Sequence, residues 1–339
     1  MKAIYLVRTG DAAQAFEQRE VPTPKPGLGE VLIKVEAFGL NFADVMARLG
    51  LYPDAPPLPA VIGYDIVGRI EEVGEGVNPD RIGERITALC RFGGYAEYAL
   101  TPAIGAIPIG NDMDSGTGLS LAVQGATAIY MAEEMVRLHE GEHVLIHAAA
   151  GGVGSLLVQF ARHKGCVIYG TAGSQRKLDF LRDLGVDHPI NYREKEFATE
   201  IRSIRGEDGL DIVFDPIGGK SLKQGFKLLR AGGRIVAFGG SSMTQAKNIF
   251  SKIRIGLSFG IYHPVAFLSN SRSMLGVNML RISDQRPELS ARALRRTVEL
   301  AKEGILQPLV GGRYPASQIG DAHAFLESRQ SMGKVIVEW

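Results

Sequence analysis

The sequence predicts an α/β chain, a doubly wound parallel sheet joined to a β-rich domain, and three observations carry that expectation. Residues 144–154 read VLIHAAAGGVG: a short apolar run of strand type, a glycine-rich turn, then a helix-like pattern from Val153 to Lys164. Beyond about residue 120, further apolar runs alternate with segments at helical spacing, as expected for parallel strands linked by crossover helices. Before that point the chain is turn-dense and rich in short strand candidates.

In chain order, Val31–Val35 alternates as VLIKV, and Val67–Val73 and Ile86–Leu89 are further strand candidates between Gly, Pro and Asn turns. Pro53–Pro59 carries four prolines and must be a loop. The strand–helix alternation then runs Val144–His147 and Val153–Lys164, Val167–Tyr169 and Ser174–Leu184, Ile212–Asp215 and Gly219–Leu229, then strands Arg234–Phe238 and Met274–Met279. Leu178, Leu181 and Leu184 put one apolar face on the second helix. A long helix, Glu288–Lys302, and a terminal strand around Lys334–Val337 read as returning to the first domain. The expected division is therefore a β-rich domain of residues 1–120 and 281–339, and a cofactor-binding domain of residues 121–280.

The 339 residues carry a formal net charge of +1. That length suits about two domains, and the charge offers no bulk electrostatic case for a nucleic-acid partner. Two cysteines, Cys90 and Cys166, supply neither a disulfide framework nor a four-thiolate zinc site and read as core residues. The opening MKAIYLV is interrupted by Arg8 and Asp11 too soon for a signal peptide, and no apolar run is long enough to span a bilayer. A cytoplasmic location without stable membrane insertion is expected.

The glycine-rich turn has the context of a dinucleotide fingerprint, with Ala149-Ala150-Gly151-Gly152-Val153-Gly154 standing for GxGxxG. Gly151 lets the backbone approach a pyrophosphate and Gly154 lets the helix pack on its strand; Ala149 departs from the pattern at its first glycine. An NAD site usually carries Asp or Glu at the end of the second strand, about 20 residues on. Here that strand is followed by Gly170-Thr171-Ala172-Gly173-Ser174-Gln175-Arg176-Lys177, with no carboxylate. Small residues, hydroxyls and two cations suit a 2′-phosphate. Ser174 as a plain N-cap before two solvated cations is the structural alternative, but the helix dipole disfavours cations at a helix start. The expected cofactor is NADP(H).

Several separated motifs now align with a known family: Asn41-Phe42-Ala43-Asp44, Gly50-Leu51-Tyr52-Pro53, Gly63, Val73-Gly74-Glu75-Gly76-Val77, HAAAGGVG, Asn191-Tyr192-Arg193, Asp215-Pro216-Ile217-Gly218-Gly219 and the Gly233–Gly239 run GRIVAFG. Over essentially the whole chain this resembles the zinc-independent medium-chain dehydrogenase/reductases, nearest the quinone oxidoreductases and, within them, the vesicle amine transport protein homologues. The resemblance implies a Rossmann-type cofactor domain and a GroES-like catalytic domain. It implies NADPH-dependent reduction of quinones or other α,β-unsaturated carbonyls by hydride transfer, in a homodimer paired through the Met274–Met279 strand. It also implies the site. Tyr52, Asn41 and Asp44 are the expected catalytic group: a substrate-facing phenol, a nicotinamide-side polar residue and an orienting carboxyl. Asn41, Thr127, Ala150, Gly151, Gly152, Val153, Gly173, Ser174, Lys177, Tyr192, Phe238, Gly239 and Lys334 are expected on the cofactor, Tyr192 at its adenosine end. Plainer readings stand beside these: Asn41 bonding its own backbone in a turn, Tyr52 as an aromatic lid, Thr127 as structural, Lys334 as exposed.

Zinc branches of that superfamily hold a metal through Cys, His-Glu and Cys. Here Leu40-Asn41 and Gly63-Tyr64-Asp65 stand in those places, and His139 and His143 flank a turn without a third ligand; no metal is expected. His147 reads as a satisfied core histidine. Lys247–Tyr262, KNIFSKIRIGLSFGIY, alternates cations with large apolar residues. Gly256 and Gly260 weaken a helix there, so it reads as a lid or lining segment rather than a membrane-surface helix. The alternative function is an NADPH-binding protein with an RNA- or membrane-associated role and little turnover, since fold and activity separate.

Overall fold

The alternating VLIKV segment lies within an 11-residue strand, Glu30–Leu40. In this computed structural model, which describes residues 1–206, 209–246 and 248–339, that strand is central to the first of two units, Met1–Thr127 with Met279–Trp339; the second is Ala128–Asn278. Asp65–Val73 and Lys334–Glu338 flank it, both antiparallel, and Tyr98–Pro102 pairs with its first half. Val310–Pro315, Arg85–Leu89 and Ala106–Pro108 complete the sheet. Val31, Ile33, Phe38, Leu40, Ile66, Val335 and Val337 form its buried core. A smaller sheet joins Phe16–Glu20, Lys2–Leu6 and Ala60–Val61.

Register decides what meets at one end of the main sheet. Val335 pairs with Leu40, and Ile66 pairs with Phe38. Lys334 and Asp65, each next to one of those paired residues, therefore converge near Gly39. A Cβ on Gly39 would lie 2.7 Å from Lys334 Nζ and 2.9 Å from Asp65 Oδ2, so a residue without a side chain is required there.

The second unit holds six parallel strands in the spatial order His188–Asn191, Val167–Ala172, His143–Ile146, Leu210–Asp215, Leu229–Ala237, Ser273–Gly276. In chain order that is 3-2-1-4-5-6, the doubly wound arrangement of Rossmann-type domains. Helices Gly152–His163, Gln175–Asp183, Phe197–Arg205 and Lys220–Leu228 connect the strands. They bury one stripe each, such as Leu156, Leu157 and Phe160 on the first. The chain order reverses between His143–Ile146 and Leu210–Asp215, where ligands of open α/β sheets bind.

Three elements differ from expectation. The strand expected over Met274–Met279 ends at Gly276, and Met279 starts the helix Met279–Gln285. His188–Asn191 is a strand despite Pro189, which is tolerated because the strand is at the sheet edge. Ile249–Ser258 is a helix through Gly256: Asn248 Oδ1 accepts from Ser251 N and Ser251 Oγ accepts from Asn248 N, both at 2.9 Å, which fixes the first turn. Lys247, in the same sequence run, lies outside the described residues. No helix among the described residues is long and apolar enough to cross a membrane.

Candidate active site

At the switch point the chain leaves the strand His143–Ile146 through His147 and Ala148. Ala148 takes a left-handed φ of 51°, costly for a residue with a Cβ, and so turns the strand into the helix. Gly151 caps the helix, and the first helical bond is Ser155 N to Gly151 O at 2.9 Å. The amides of Gly152, Val153 and Gly154 therefore have no intrahelical acceptor. A Cβ on Gly154 would lie 2.8 Å from Ala149 Cα, so that glycine allows the helix to sit tightly on its own turn. Ala150 beside it is buried. Opposite, Asp215 shapes the second loop: its Oδ1 accepts from Ile217 N at 2.6 Å and Gly218 N at 2.8 Å, and its Oδ2 from Ser221 Oγ at 2.7 Å. Phe238 N donates to Asp215 O at 3.0 Å, and Gly239 packs its backbone onto Pro216. Buried His147 is only half satisfied, a correction to the expectation. Its Nδ1 meets Thr171 Oγ1 at 3.0 Å, but Nε2 has no hydrogen-bond partner among the described residues.

The end of the second strand is electropositive. Ser174 is the N-cap of Gln175–Asp183, but its side chain makes no capping bond. Burial lowers the Lys177 pKa, and the nearby Arg193 and Arg176 lower it further. Tyr192 is exposed, its hydroxyl directly over Gly173, where a Cβ would stand 2.5 Å from that oxygen. Neighbouring cations, a phenol and a hydroxyl that makes no capping bond are groups that suit a dianionic phosphate. Helix-start amides at one strand end and this cluster at the next fit a dinucleotide carrying a 2′-phosphate.

In the first unit, Asn41 caps the short helix Phe42–Arg48. Its side-chain amide reaches across to two other strands. Nδ2 donates to Asp65 Oδ1 at 2.8 Å, and Oδ1 accepts from Lys334 Nζ at 2.9 Å. Lys334 also forms an ion pair with Asp65, and both side chains are wholly buried. This corrects the reading of Lys334 as exposed: its strand is flanked on both sides by paired strands. Asp44 Oδ2 accepts from Asn41 N at 2.8 Å, while Oδ1 has no partner among the described residues. Burial pushes the Asp44 carboxyl up to about 8, only partly offset by the Asn41 N–H, with Asp65 adding to the rise. Asp44 is thus a neutral acid near pH 7.

Tyr52 is half-buried and meets Tyr64 edge-on, ring centroids 6.1 Å apart. Burial and the nearby Asp54 raise its pKa, so it remains a phenol, a donor. Its loop is tied down by Arg281 Nη2 to Asp54 Oδ1 at 2.8 Å. Cys90 Sγ faces Gly63 O at 3.6 Å, and burial raises its pKa well above that of an ordinary thiol. Thr127 lies within the helix Ala126–Ile129 and donates to Val123 O at 2.5 Å. Among the described residues no group of three His, Cys, Asp or Glu is placed to hold a metal ion. Sequence reasoning missed Asp65 and Tyr64 as site residues. Gly39, inside a long apolar strand, was the one local sign of a close approach.

Two family models match the chain: an alcohol dehydrogenase GroES-like domain over residues 27–111 and a zinc-binding dehydrogenase domain over residues 152–295. The synaptic vesicle membrane protein VAT-1 homologue of Danio rerio is 33% identical over 98% of this chain and 69% of its own length. The quinone oxidoreductase of Rattus norvegicus is 30% identical over 99% of this chain and 97% of its own. A mycobacterial protein solved in complex with NADPH superposes over all of both chains with a TM-score of 0.86 at 29% identity.

Two consequences are measurable. Lys334→Met strands the buried Asp65 carboxylate, and urea denaturation is expected to show a loss of about 3–5 kcal/mol, partly restored by adding Asp65→Asn. A loss under about 1 kcal/mol would mean the pair is not desolvated. Asp44 has a folded pKa of about 8 against an ordinary 3.8. The folded state therefore holds a proton the unfolded chain releases, and this group's contribution to stability falls as pH rises between those values. Wild type minus Asp44→Asn stability, measured across that window, is expected to decline and then level off above it; a flat difference sinks the assignment.

Proposed function

The chain belongs to the medium-chain dehydrogenase/reductase family, and from that premise we propose that it is an NADPH-dependent, zinc-independent reductase of quinones or other α,β-unsaturated carbonyls. The observation that carries this reading is the Asn41–Asp65–Lys334 cluster. An ammonium is bonded to the carboxylate that follows Gly63-Tyr64, and that charge repels a dication. Polarising a substrate oxygen then falls to hydrogen-bond donors. The names of the rat quinone oxidoreductase and of the mycobacterial NADPH complex support the same reading.

The Gly152–Gly154 amides bind the pyrophosphate, and Ser174, Lys177, Tyr192 and Arg193 take the 2′-phosphate. Bound NADPH supplies the hydride. Asn41 is locked by its two bonds and keeps one Nδ2 hydrogen for a ligand. Thr127, its proton committed to Val123, keeps acceptor lone pairs. Tyr52 donates to the substrate oxygen as charge develops on it. Lys334 acts through Asn41, as a positioning residue. The outer edge of Ser273–Gly276 has no strand partner among the described residues, and we place the homodimer contact there, twin edges pairing across a two-fold axis.

Lys177→Ala is expected to weaken NADPH binding by roughly 1.5–3 kcal/mol and leave NADH little changed; equal losses for both would show that Lys177 does not read the phosphate. NADPH oxidation with a para-quinone and with an enone tests the reaction itself, and activity should survive prolonged chelation. Tyr52→Phe should lower kcat on the enone by up to roughly 10²–10³-fold with NADPH affinity intact. Wild-type rates in that variant on both acceptors remove Tyr52 from the mechanism, and no NADPH oxidation by wild type removes the reductase reading. Sedimentation at micromolar concentration should show a dimer; a monomer contradicts the edge-strand contact.

A further inference from the structure

Two buried polar atoms of the first unit have no hydrogen-bond partner among the described residues, although they belong to neighbouring groups: Asp44 Oδ1 and the Tyr64 hydroxyl. Asn41 ties the two together. Its backbone N–H donates to Asp44, and its side-chain amide donates to Asp65, the residue after Tyr64, each at 2.8 Å. Burial, and then the Asp44 charge, raises the Tyr64 pKa well above that of an ordinary phenol. On its other side Tyr64 meets the half-buried Tyr52 edge-on, and the two phenols act on each other's ionisation. The order from the core outward is thus Asp44, Tyr64, Tyr52.

The remaining groups that face Asp44 are committed elsewhere. Lys334 is bonded to Asp65 and Asn41. Tyr95 Oη meets His323 Nε2 at 3.1 Å, and burial, with Arg48 beside it, pushes that imidazole down to about 3, so it carries no proton to compete. The Cys90 thiol is buried, and burial raises its pKa. What is left is one uncommitted carboxyl oxygen and one uncommitted phenol leading to Tyr52. Buried polar atoms without partners are costly, and two of them on adjacent groups call for a use.

We propose that Asp44 is the proton source for the reduced substrate and that Tyr64 carries its proton to Tyr52. The inference rests on the reductase reading and adds to it the route that resupplies Tyr52. Hydride from NADPH forms a C–H bond at the β-carbon of an enone and leaves NADP+. The C=C electron pair shifts toward the carbonyl, whose oxygen takes the negative charge. The Tyr52 O–H breaks as the enol O–H forms, Tyr64 returns a proton to the Tyr52 oxygen, and Asp44 returns one to Tyr64. A bridging water closes each gap between these groups. Asp44 ends as a carboxylate and regains its proton from solvent by the reverse path through Tyr52 once product leaves. Acid strength favours this direction. Burial, and then Asp54, makes Tyr52 a weaker acid than an ordinary phenol, whereas Asp44, at about 8, is stronger than either phenol. Drawing the proton from Asp44 makes the net transfer more favourable than Tyr52 achieves alone.

The test follows reduction of 3-octen-2-one by NADPH with the full chain. Wild-type kcat is expected to fall as pH rises through about 8, where Asp44 loses its proton. Asp44→Asn and Tyr64→Phe should each lower kcat by roughly 10²-fold and flatten that profile, with KM and NADPH affinity as in wild type. The double variant should be no slower than the slower single one, since both residues serve one path. A second measurement needs neither cofactor nor substrate. Infrared spectra of the free protein at pH 7 should show a carboxylic acid C=O band that vanishes in Asp44→Asn and shifts in Tyr64→Phe. Additive losses in the double variant, a wild-type pH profile in either single one, or a band that is missing or unmoved by Tyr64→Phe overturns the relay while leaving the reductase reading intact. No NADPH oxidation by wild type with a quinone or an enone overturns both.

Discussion

A lysine ammonium and an aspartate carboxylate, both without solvent contact, join the last strand of the chain to the strand that begins at Asp65, over the gap left by Gly39. Burying two charges costs several kcal/mol per ion before their attraction is counted. Asn41 offsets part of that cost by accepting from one and donating to the other. Such a pair is a poor source of stability compared with a well-packed apolar contact, but it dictates geometry. It sets the Asn41 amide orientation, and Asn41 in turn presents its backbone N–H to Asp44. Burial raises the pKa of both neighbouring carboxyl groups, and their partners differ. Asp65 is committed to Lys334, while Asp44, with no cation of its own, keeps its proton through neutral pH.

The second unit uses charge differently. Around Lys177, burial and then the nearby Arg193 and Arg176 leave a lysine that holds its proton less tightly than usual. The tract from Pro216 to Ser283 carries ten Lys and Arg and no Asp or Glu, in a chain that is almost neutral overall. Net charge says little about such a protein; the separation of charge along it says more.

The fold and the glycine-rich loop at its switch point were legible in the sequence because their determinants are local. A strand, a glycine-rich turn and a helix are contiguous, the missing carboxylate is read at the end of the next strand, and steric needs at Gly151 and Gly154 follow from backbone geometry alone. Helix Ile249–Ser258 shows the limit of that reasoning. Its two glycines argue against a helix, yet Gly260 falls just past its end and the Asn248–Ser251 capping box fixes its start, so the helix runs through Gly256.

The doubly wound sheet, its fingerprint loop, the absence of a carboxylate in Gly170–Lys177 and the candidacy of Asn41 and Tyr52 were determined by the sequence. Only the tertiary structure decided that Lys334 is buried and that it meets Asp65 and Asn41 from 269 and 293 residues away. Those outcomes depend on strand register and on which face of each element finds a partner. A periodic pattern specifies that a helix or strand has two unlike faces; long-range packing selects what each face meets.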